Sequence, residues 1–235
     1  MIGWVDQLRL WPSRVAGRRK LGRIVLEKVG GRDFLILPQV FNPVTFRSGT
    51  TLAAYIDALP DATTERPDAS ALDLGTGCGV QAIFAAARGF GVTAVDINTH
   101  AVRCASINAL LNGMEAKVKV LEGDLFEPVA GQLFDLVIFN PPFFSGLPTN
   151  DFDLAWRSTD CIERFARGLP AALRATGSAV IVWSSHADSA RLTDPLREHG
   201  MEVTIVQRKR VIGEEMTIFE ARPRADSLRS QPSDP

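Results

Sequence analysis

Short apolar runs alternate with stretches of helical periodicity after residue 70, and this pattern predicts the main body of the fold. Strands are predicted at 70–75, 91–97, 116–124, 134–139, 177–185, 201–210 and 215–222. Helices are predicted between them. One spans residues 80–90, one ends at Asn112-Gly113, one opens at Asp160 with Glu163 in capping-box spacing, and one is broken by Pro195.

The predicted strands are nearly continuous runs of Val, Ile, Leu and Ala. Such strands, alternating with helices, are typical of a mostly parallel sheet that is covered on both faces. No helix separates the last two strands, which predicts an antiparallel pair at one edge. We therefore expect an α/β fold with a doubly wound, seven-stranded, mostly parallel sheet and an antiparallel edge strand.

The first 50 residues do not follow this pattern. The segment "LGRIVLEKVGGRDFLILPQVF" predicts a hairpin that turns at Gly30-Gly31, preceded by a short basic helix. We expect residues 1–50 to form a small lid or platform and residues 51–222 to form the main domain. The polar, proline-bearing tail, residues 223–235, is predicted to be disordered.

The composition indicates one large globular domain or one domain with a small extension, since 46% of the 235 residues are hydrophobic and 23% are charged. Residues 1–33 carry eight basic and three acidic side chains (+5), whereas the remainder carries 18 basic and 24 acidic (−6). The basic segment could meet an anionic partner, RNA or an acidic protein surface, or could be a solvated helix. Both interpretations stay open.

Some function classes are not expected from this sequence. No apolar run approaches the roughly 18 residues of a membrane helix, and no signal-peptide order is present, so we expect a cytoplasmic protein. Cys78, Cys104 and Cys161 form no CxxC pair, and the three histidines do not cluster with them. We expect neither a metal site nor a disulfide framework.

A glycine-rich loop follows the first strand of the main domain. In "ALDLGTGCGV" the strand ends at Asp73, and Gly75, Gly77 and Gly79 precede a helix. Glycines at such a turn allow the backbone to approach a ligand closely. A dinucleotide fingerprint would need a further glycine where Val80 stands, so a pyrophosphate is not the obvious ligand.

Two further strands also end in carboxylates. Asp96 ends the second strand and could accept both hydroxyls of a ribose, and Asp124 ends the third and could accept a hydrogen bond from an adenine amine. Acidic strand ends are a poor site for phosphates. They suit a cationic nucleoside that carries no phosphate.

The fourth strand, "DLVIFNPPFF", ends in two prolines. Proline has no backbone donor, so Pro141 and Pro142 stop the ladder and stiffen the chain. The Asn140 side-chain oxygen and the Pro141 carbonyl are then two acceptors on a rigid backbone. Such a pair could grip the N–H bonds of an amide or aromatic amine, and Phe143 could form a flat wall for that planar group.

These segments, taken in order, resemble the motifs of class I S-adenosylmethionine-dependent methyltransferases. They are most similar to the branch with an Asn-Pro-Pro-Tyr/Phe motif, which contains release-factor glutamine methyltransferases and adenine exocyclic-amine methyltransferases. The resemblance covers roughly residues 38–222. It implies a Rossmann-like fold, S-adenosyl-L-methionine as cofactor and a catalytic domain at residues 51–222.

The resemblance also implies roles for individual residues. The corner that carries catalysis comprises Asn140, Pro141, Pro142 and Phe143. The residues implied in cofactor binding are Ser48, Thr50, Asp73, Gly75, Thr76, Gly77, Gly79, Asp96, Ile97, Asp124, Leu125 and Asn140. Trp156 and Arg157 follow the corner and could line a substrate pocket or lie on the surface.

The acceptor is left open by the sequence. The leading hypothesis is methylation of an amide or amine nitrogen in a protein glutamine or an RNA adenine. The stretch "FDLAWRSTDCIERF" lacks the paired glycines of glutamine methyltransferases, and 50 residues are too few for the helical substrate domain of bacterial release-factor enzymes. A small-molecule enzyme, even one that catalyses a non-methyl displacement, and a non-catalytic binding module are the alternatives.

Overall fold

A computed structural model describes residues 23–62, 66–147, 155–211 and 213–224. The basic helix predicted ahead of the hairpin and the tail after Arg224 lie outside these residues. No helix within the described residues is both long and apolar enough to cross a bilayer.

The strands fall into a central sheet and two short pairs outside it. The short pairs are β1 (Val25–Val29) with β2 (Arg32–Ile36) and β7 (Phe144–Ser145) with β8 (Arg157–Ser158). The strands of the central sheet are β3 (Ser70–Leu74), β4 (Gly91–Asp96), β5 (Val118–Glu122), β6 (Phe134–Phe139), β9 (Leu173–Ser184), β10 (Met201–Val211) and β11 (Glu214–Pro223).

The central sheet has seven strands in the order β10-β11-β9-β6-β3-β4-β5. Five neighbouring strands run parallel, and β11 runs antiparallel between β9 and the edge strand β10. The predicted fold class is therefore confirmed.

Helices cover both faces of the sheet. They are α1 (Pro43–Phe46), α2 (Ser48–Asp57), α3 (Val80–Ala87), α4 (Thr99–Leu111), α5 (Cys161–Ala172) and α6 (Ala190–Glu198).

Two separate apolar clusters, one on each face, explain why the strands are apolar throughout. Along β3, Ala71 belongs to the cluster formed with α2, α3 and α4, while Leu72 and Leu74 belong to the one formed with α5 and α6. Successive side chains of a strand point to opposite faces, so a strand buried on both sides alternates between the two clusters.

Two helix predictions differ from the structure. Helix α6 continues through Pro195, the sixth of its nine residues, instead of breaking. Burial of the proline beside Leu196 offsets the loss of one backbone N–H donor. Helix α5 does begin after Asp160, but that side chain makes no capping bond. The Ser158 hydroxyl instead accepts from the Cys161 amide at 3.0 Å.

Strand β9 begins four residues before the predicted start at Gly177. Gly177 lies inside the strand at an irregularity in its pairing with β6, where Phe134 faces Leu173 and Leu136 faces Ser178. A Cβ at Gly177 would come within 2.8 Å of the Phe134 carbonyl oxygen. The glycine thus marks a bulge rather than a strand end.

The hairpin β1–β2 turns at Gly30-Gly31 and packs on the outer side of α3 and α4. Asn108, fully buried on α4, joins this hairpin to the glycine loop. Its side-chain amide donates to the carbonyls of Leu35 and Cys78, both at 2.8 Å, and its oxygen accepts from the Leu35 amide at 2.7 Å. One side chain therefore satisfies three backbone groups of two distant segments.

We predict that Asn108→Ala lowers the free energy of unfolding by about 2–4 kcal/mol, because buried backbone groups lose their partners. Asn112→Ala is the matched control. It removes bonds to the Asp33 and Asn108 carbonyls from a partly exposed position one turn later, and we expect it to cost about 1 kcal/mol or less. Urea unfolding of both variants measures the difference; equal losses would contradict this role of Asn108.

Candidate active site

A cavity of about 360 Å³ opens beyond the carboxyl ends of β3, β4 and β6. Strand order reverses here, since β4 lies on one side of β3 and β6 on the other, and open α/β sheets bind ligands at such a switch point. Predicted site residues in its lining are Ser48, Gly75, Thr76, Gly77, Asp96, Ile97, Asp124, Leu125, Asn140, Pro141, Pro142 and Phe143.

The glycine loop bends sharply around a buried carboxylate. Gly75, Gly77 and Gly79 all have positive φ angles, of 61°, 58° and 82°. One Asp73 oxygen accepts from the Thr76 hydroxyl at 2.6 Å and from the Ala82 amide at 3.1 Å, which ties the loop to the start of α3. Burial raises the pKa of the Asp73 carboxyl to about 7.

Three predicted cofactor residues do not line the cavity. Asp73 is buried behind the glycine loop and braces it. Gly79 faces helix α4, where a Cβ would come within 3.1 Å of Ala105. The Thr50 hydroxyl donates to the Arg47 carbonyl at 2.9 Å, inside the first turn of α2. These three residues therefore support the cavity wall without lining the cavity themselves.

Asp96, at the end of β4, both supports the loop and faces the cavity. One of its oxygens accepts from the Gly77 amide at 2.8 Å, and the other accepts from the Asn98 amide at 2.9 Å. Burial raises the pKa of this carboxyl, which these backbone bonds oppose. Carboxylate oxygens have further lone pairs, so Asp96 can accept additional bonds from a ligand.

The third acidic strand end is part of an ion pair. Arg164, from α5, donates to one Asp124 oxygen at 2.8 Å, and the other oxygen has no partner among the described residues. The next residue, Leu125, has a φ of 48°, which is unfavourable for a leucine. Such strain is commonly found where the backbone serves a ligand site.

The Asn-Pro-Pro-Phe corner directly follows β6. Neither the half-buried Asn140 side chain nor the Pro141 carbonyl has a hydrogen-bond partner within the described part of the chain. The Arg191 guanidinium donates to the Phe143 carbonyl at 3.0 Å, so the end of the corner is fixed from α6. Both residues that carry the predicted acceptors thus line the cavity, and no described residue bonds to these acceptors.

Other cavity residues carry no motif in the sequence. They come chiefly from the segment that precedes α1 and from the segment that leads into α5, and they include Gln39, Phe41, Gln81, Asn98, Trp156 and Arg164. Asn98 donates to the Gln39 carbonyl at 3.2 Å, which docks the first segment beside Asp96. Trp156 and Arg157 were expected from their place after the corner to line a substrate pocket or lie on the surface, and both line the cavity. The signal for Asn98 is its position two residues after Asp96.

These residues fit S-adenosylmethionine. A Cβ on Gly75 or Gly77 would meet no atom closer than 3.9 Å, so the space beside the loop is open. Asp96 and Asp124 offer carboxylate oxygens to hydroxyl or amine donors and to a positive charge. No group of three His, Cys, Asp or Glu side chains in the described residues is arranged to hold a metal ion.

The sequence pattern of the family described as "Methyltransferase small domain" matches residues 32–212. The chain belongs to this family. The predictions of a class I S-adenosylmethionine-dependent methyltransferase and of S-adenosyl-L-methionine as its cofactor are therefore confirmed.

Two curated methyltransferases illustrate the similarity. The chain is 33% identical over 162 residues to a putative protein N5-glutamine methyltransferase of Methanocaldococcus jannaschii, covering 64% of this chain and 79% of the relative. It is 34% identical over 141 residues to the release factor glutamine methyltransferase of Shewanella oneidensis, covering 59% of this chain and 48% of that enzyme. The chain thus matches only about half of the second relative.

A solved methyltransferase structure has the same fold. The 16S rRNA N2 G1207 methyltransferase of T. thermophilus, in complex with AdoMet and guanosine, superposes with a TM-score of 0.61 at 21% identity. The match covers 86% of this chain and 50% of that one.

We predict that Asp96→Ala weakens binding of S-adenosylhomocysteine roughly 10- to 100-fold, because it removes a charged acceptor and the brace on Gly77. Glu122→Gln is the matched control, since Glu122 pairs with Asp96 in the sheet but is exposed and outside the cavity lining. Calorimetric titration measures both dissociation constants. An unchanged affinity in Asp96→Ala would show that this strand end does not hold the cofactor.

Proposed function

We propose that the chain transfers a methyl group to the side-chain amide nitrogen of a protein glutamine. The observation that carries this proposal is the unpaired Asn140 side chain at the cavity wall, next to the unpaired Pro141 carbonyl, within the part of the chain that the structure describes. Two acceptors are what an –NH₂ group needs, because it has two N–H bonds to direct. The corner stays stiff through its prolines and the bond from Arg191 to Phe143.

The corner acts by positioning and by electrostatics. An amide nitrogen is a weak nucleophile because its lone pair is delocalised into the carbonyl. The Asn140 oxygen and the Pro141 carbonyl hold both N–H bonds and favour the positive charge that develops on nitrogen as it is alkylated. These groups are already in place before reaction, so little reorganisation is needed.

S-adenosylmethionine supplies an electrophilic methyl group bonded to a positively charged sulfur. Asp96 offers this cation a carboxylate in the cavity wall, whereas Asp124 is already paired with Arg164 and offers its second oxygen as a hydrogen-bond acceptor. No strong base is required ahead of transfer, since the amide proton becomes acidic only as the new C–N bond forms. The S–CH₃ bond would break as the C–N bond forms, S-adenosylhomocysteine would be the leaving group, and the proton lost from nitrogen would pass to solvent.

The relatives support a protein amide as acceptor. The Methanocaldococcus relative, most of whose length is matched, is described as a putative protein N5-glutamine methyltransferase, and the Shewanella relative as a release factor glutamine methyltransferase. The cavity volume of about 360 Å³ is near the lower end for small-molecule sites. A side-chain amide needs less of that space beside a bound nucleoside than a whole base does.

Transfer can be tested with methyl-labelled S-adenosylmethionine and separated protein and RNA fractions of a cell extract. We expect label in protein that is released as methylamine on acid hydrolysis, as N-methylglutamine chemistry requires. Label that remains in an adenine base would instead make the chain an RNA amine methyltransferase. Label in small molecules only, or no transfer, would overturn the proposal.

We predict that Asn140→Ala lowers kcat about 100-fold or more while the dissociation constant for S-adenosylhomocysteine changes less than about threefold. The Asn140 oxygen is a hydrogen-bond acceptor for the reacting nitrogen, so its loss destabilises the transition state and does not affect cofactor binding. Asn112→Ala, outside the cavity lining, serves as control in the same assay. A variant at Asn140 with normal kcat would exclude the corner from catalysis.

A further inference from the structure

The aromatic residue of the corner is largely withdrawn from the cavity. Phe143 is only 6% exposed, and its ring packs edge-on against the buried Trp183 with centroids 5.6 Å apart. Most of its surface therefore contacts the core. A flat surface for a planar acceptor must come mainly from another side chain.

Trp156 lies in the wall of the same cavity and is half-buried. Its carbonyl accepts from the Phe144 amide at 2.9 Å, directly after the corner. The short strands β7 and β8 continue this pairing, with Phe144 opposite Arg157. Backbone hydrogen bonding thus fixes Trp156 beside the segment that holds Asn140 and Pro141.

Two phenylalanines hold the indole ring from the other side. Phe46 contacts it edge-on with centroids 4.3 Å apart, and Phe41, which also lines the cavity, is tilted against it at 5.1 Å. All three rings remain partly exposed, so they are not simply core. The indole N–H makes no hydrogen bond within the described residues, so the fold does not use the polar edge of Trp156.

We propose that Trp156 forms the acceptor side of the site and packs its indole ring against the planar group held by Asn140 and Pro141. This inference rests on the proposed function and adds the residue that determines affinity for the acceptor. A rigid, half-exposed tryptophan offers a large contact area at a small loss of conformational freedom. Substitution of Trp156 should therefore weaken binding of the methyl acceptor and leave the cofactor side of the cavity unchanged.

Kinetics with the acceptor test this role. Trp156→Ala should raise the acceptor KM about tenfold or more, Trp156→Phe should raise it less, and both should keep the wild-type affinity for S-adenosylhomocysteine. Asn112→Ala, outside the cavity lining, is the control and should leave the acceptor KM unchanged. An unchanged KM in Trp156→Ala would overturn the inference.

Tryptophan fluorescence provides a test that needs no turnover. With S-adenosylhomocysteine saturating, N-acetylglutaminamide should quench wild-type emission, and Trp156→Phe should abolish that quenching. No quenching, or equal quenching in both proteins, would contradict the inference. Quenching of Trp156 by adenosine alone would support the aromatic wall while overturning a glutamine acceptor. Quenching by the amide, in a protein that transfers no methyl group, would show that Trp156 lines the acceptor site although the proposed function is wrong.

Discussion

The return of the chain across the sheet, from β5 at one edge to β6 beside β3, is the constraint on which the site depends. It places the ends of β3 and β6 next to each other. The glycine loop follows the first of these strands, and the Asn-Pro-Pro-Phe corner follows the second. Two segments that are more than sixty residues apart in sequence therefore face one cavity.

Three buried or half-buried polar side chains then hold this arrangement in place. Asp73 braces the glycine loop from behind, Asp96 holds Gly77 from the neighbouring strand, and Asn108 joins the loop to the β1–β2 hairpin. Asp73 accepts from the Thr76 hydroxyl and from an amide of α3, whereas Asp96 and Asn108 bond backbone groups of the loop itself. A loop supported in this way presents its backbone to a ligand with little freedom to reorganise. The hairpin thus acts on the site indirectly, through Asn108.

The sequence predicted those parts of the molecule that depend on local chemistry. Strands buried on both faces are continuously apolar, and the glycines and prolines at the ends of β3 and β6 act directly on the backbone around them. Predictions were less accurate where tertiary contacts determine the local structure. Pro195 is accommodated inside a helix because its ring is buried, and Gly177 is tolerated inside a strand as a bulge.

The acceptor side of the cavity was the least predictable part. Phe143 was expected to form a flat wall; it lines the cavity, but most of its surface is buried and its ring packs on Trp183, a residue 40 positions later in the chain. Trp156 instead meets Phe41 and Phe46, which lie more than a hundred positions earlier. No local pattern signals such pairings, because they arise only when two segments on either side of the cavity meet.

The central claim is that one cavity holds the cofactor against the corner that grips the acceptor nitrogen. A crystal structure of the chain with S-adenosylhomocysteine tests it most directly. The account predicts the ribose within hydrogen-bond distance of Asp96, the adenine beside Leu125 and the sulfur turned toward Asn140. Ligand density elsewhere on the molecule, or a sulfur directed away from Asn140, would contradict it.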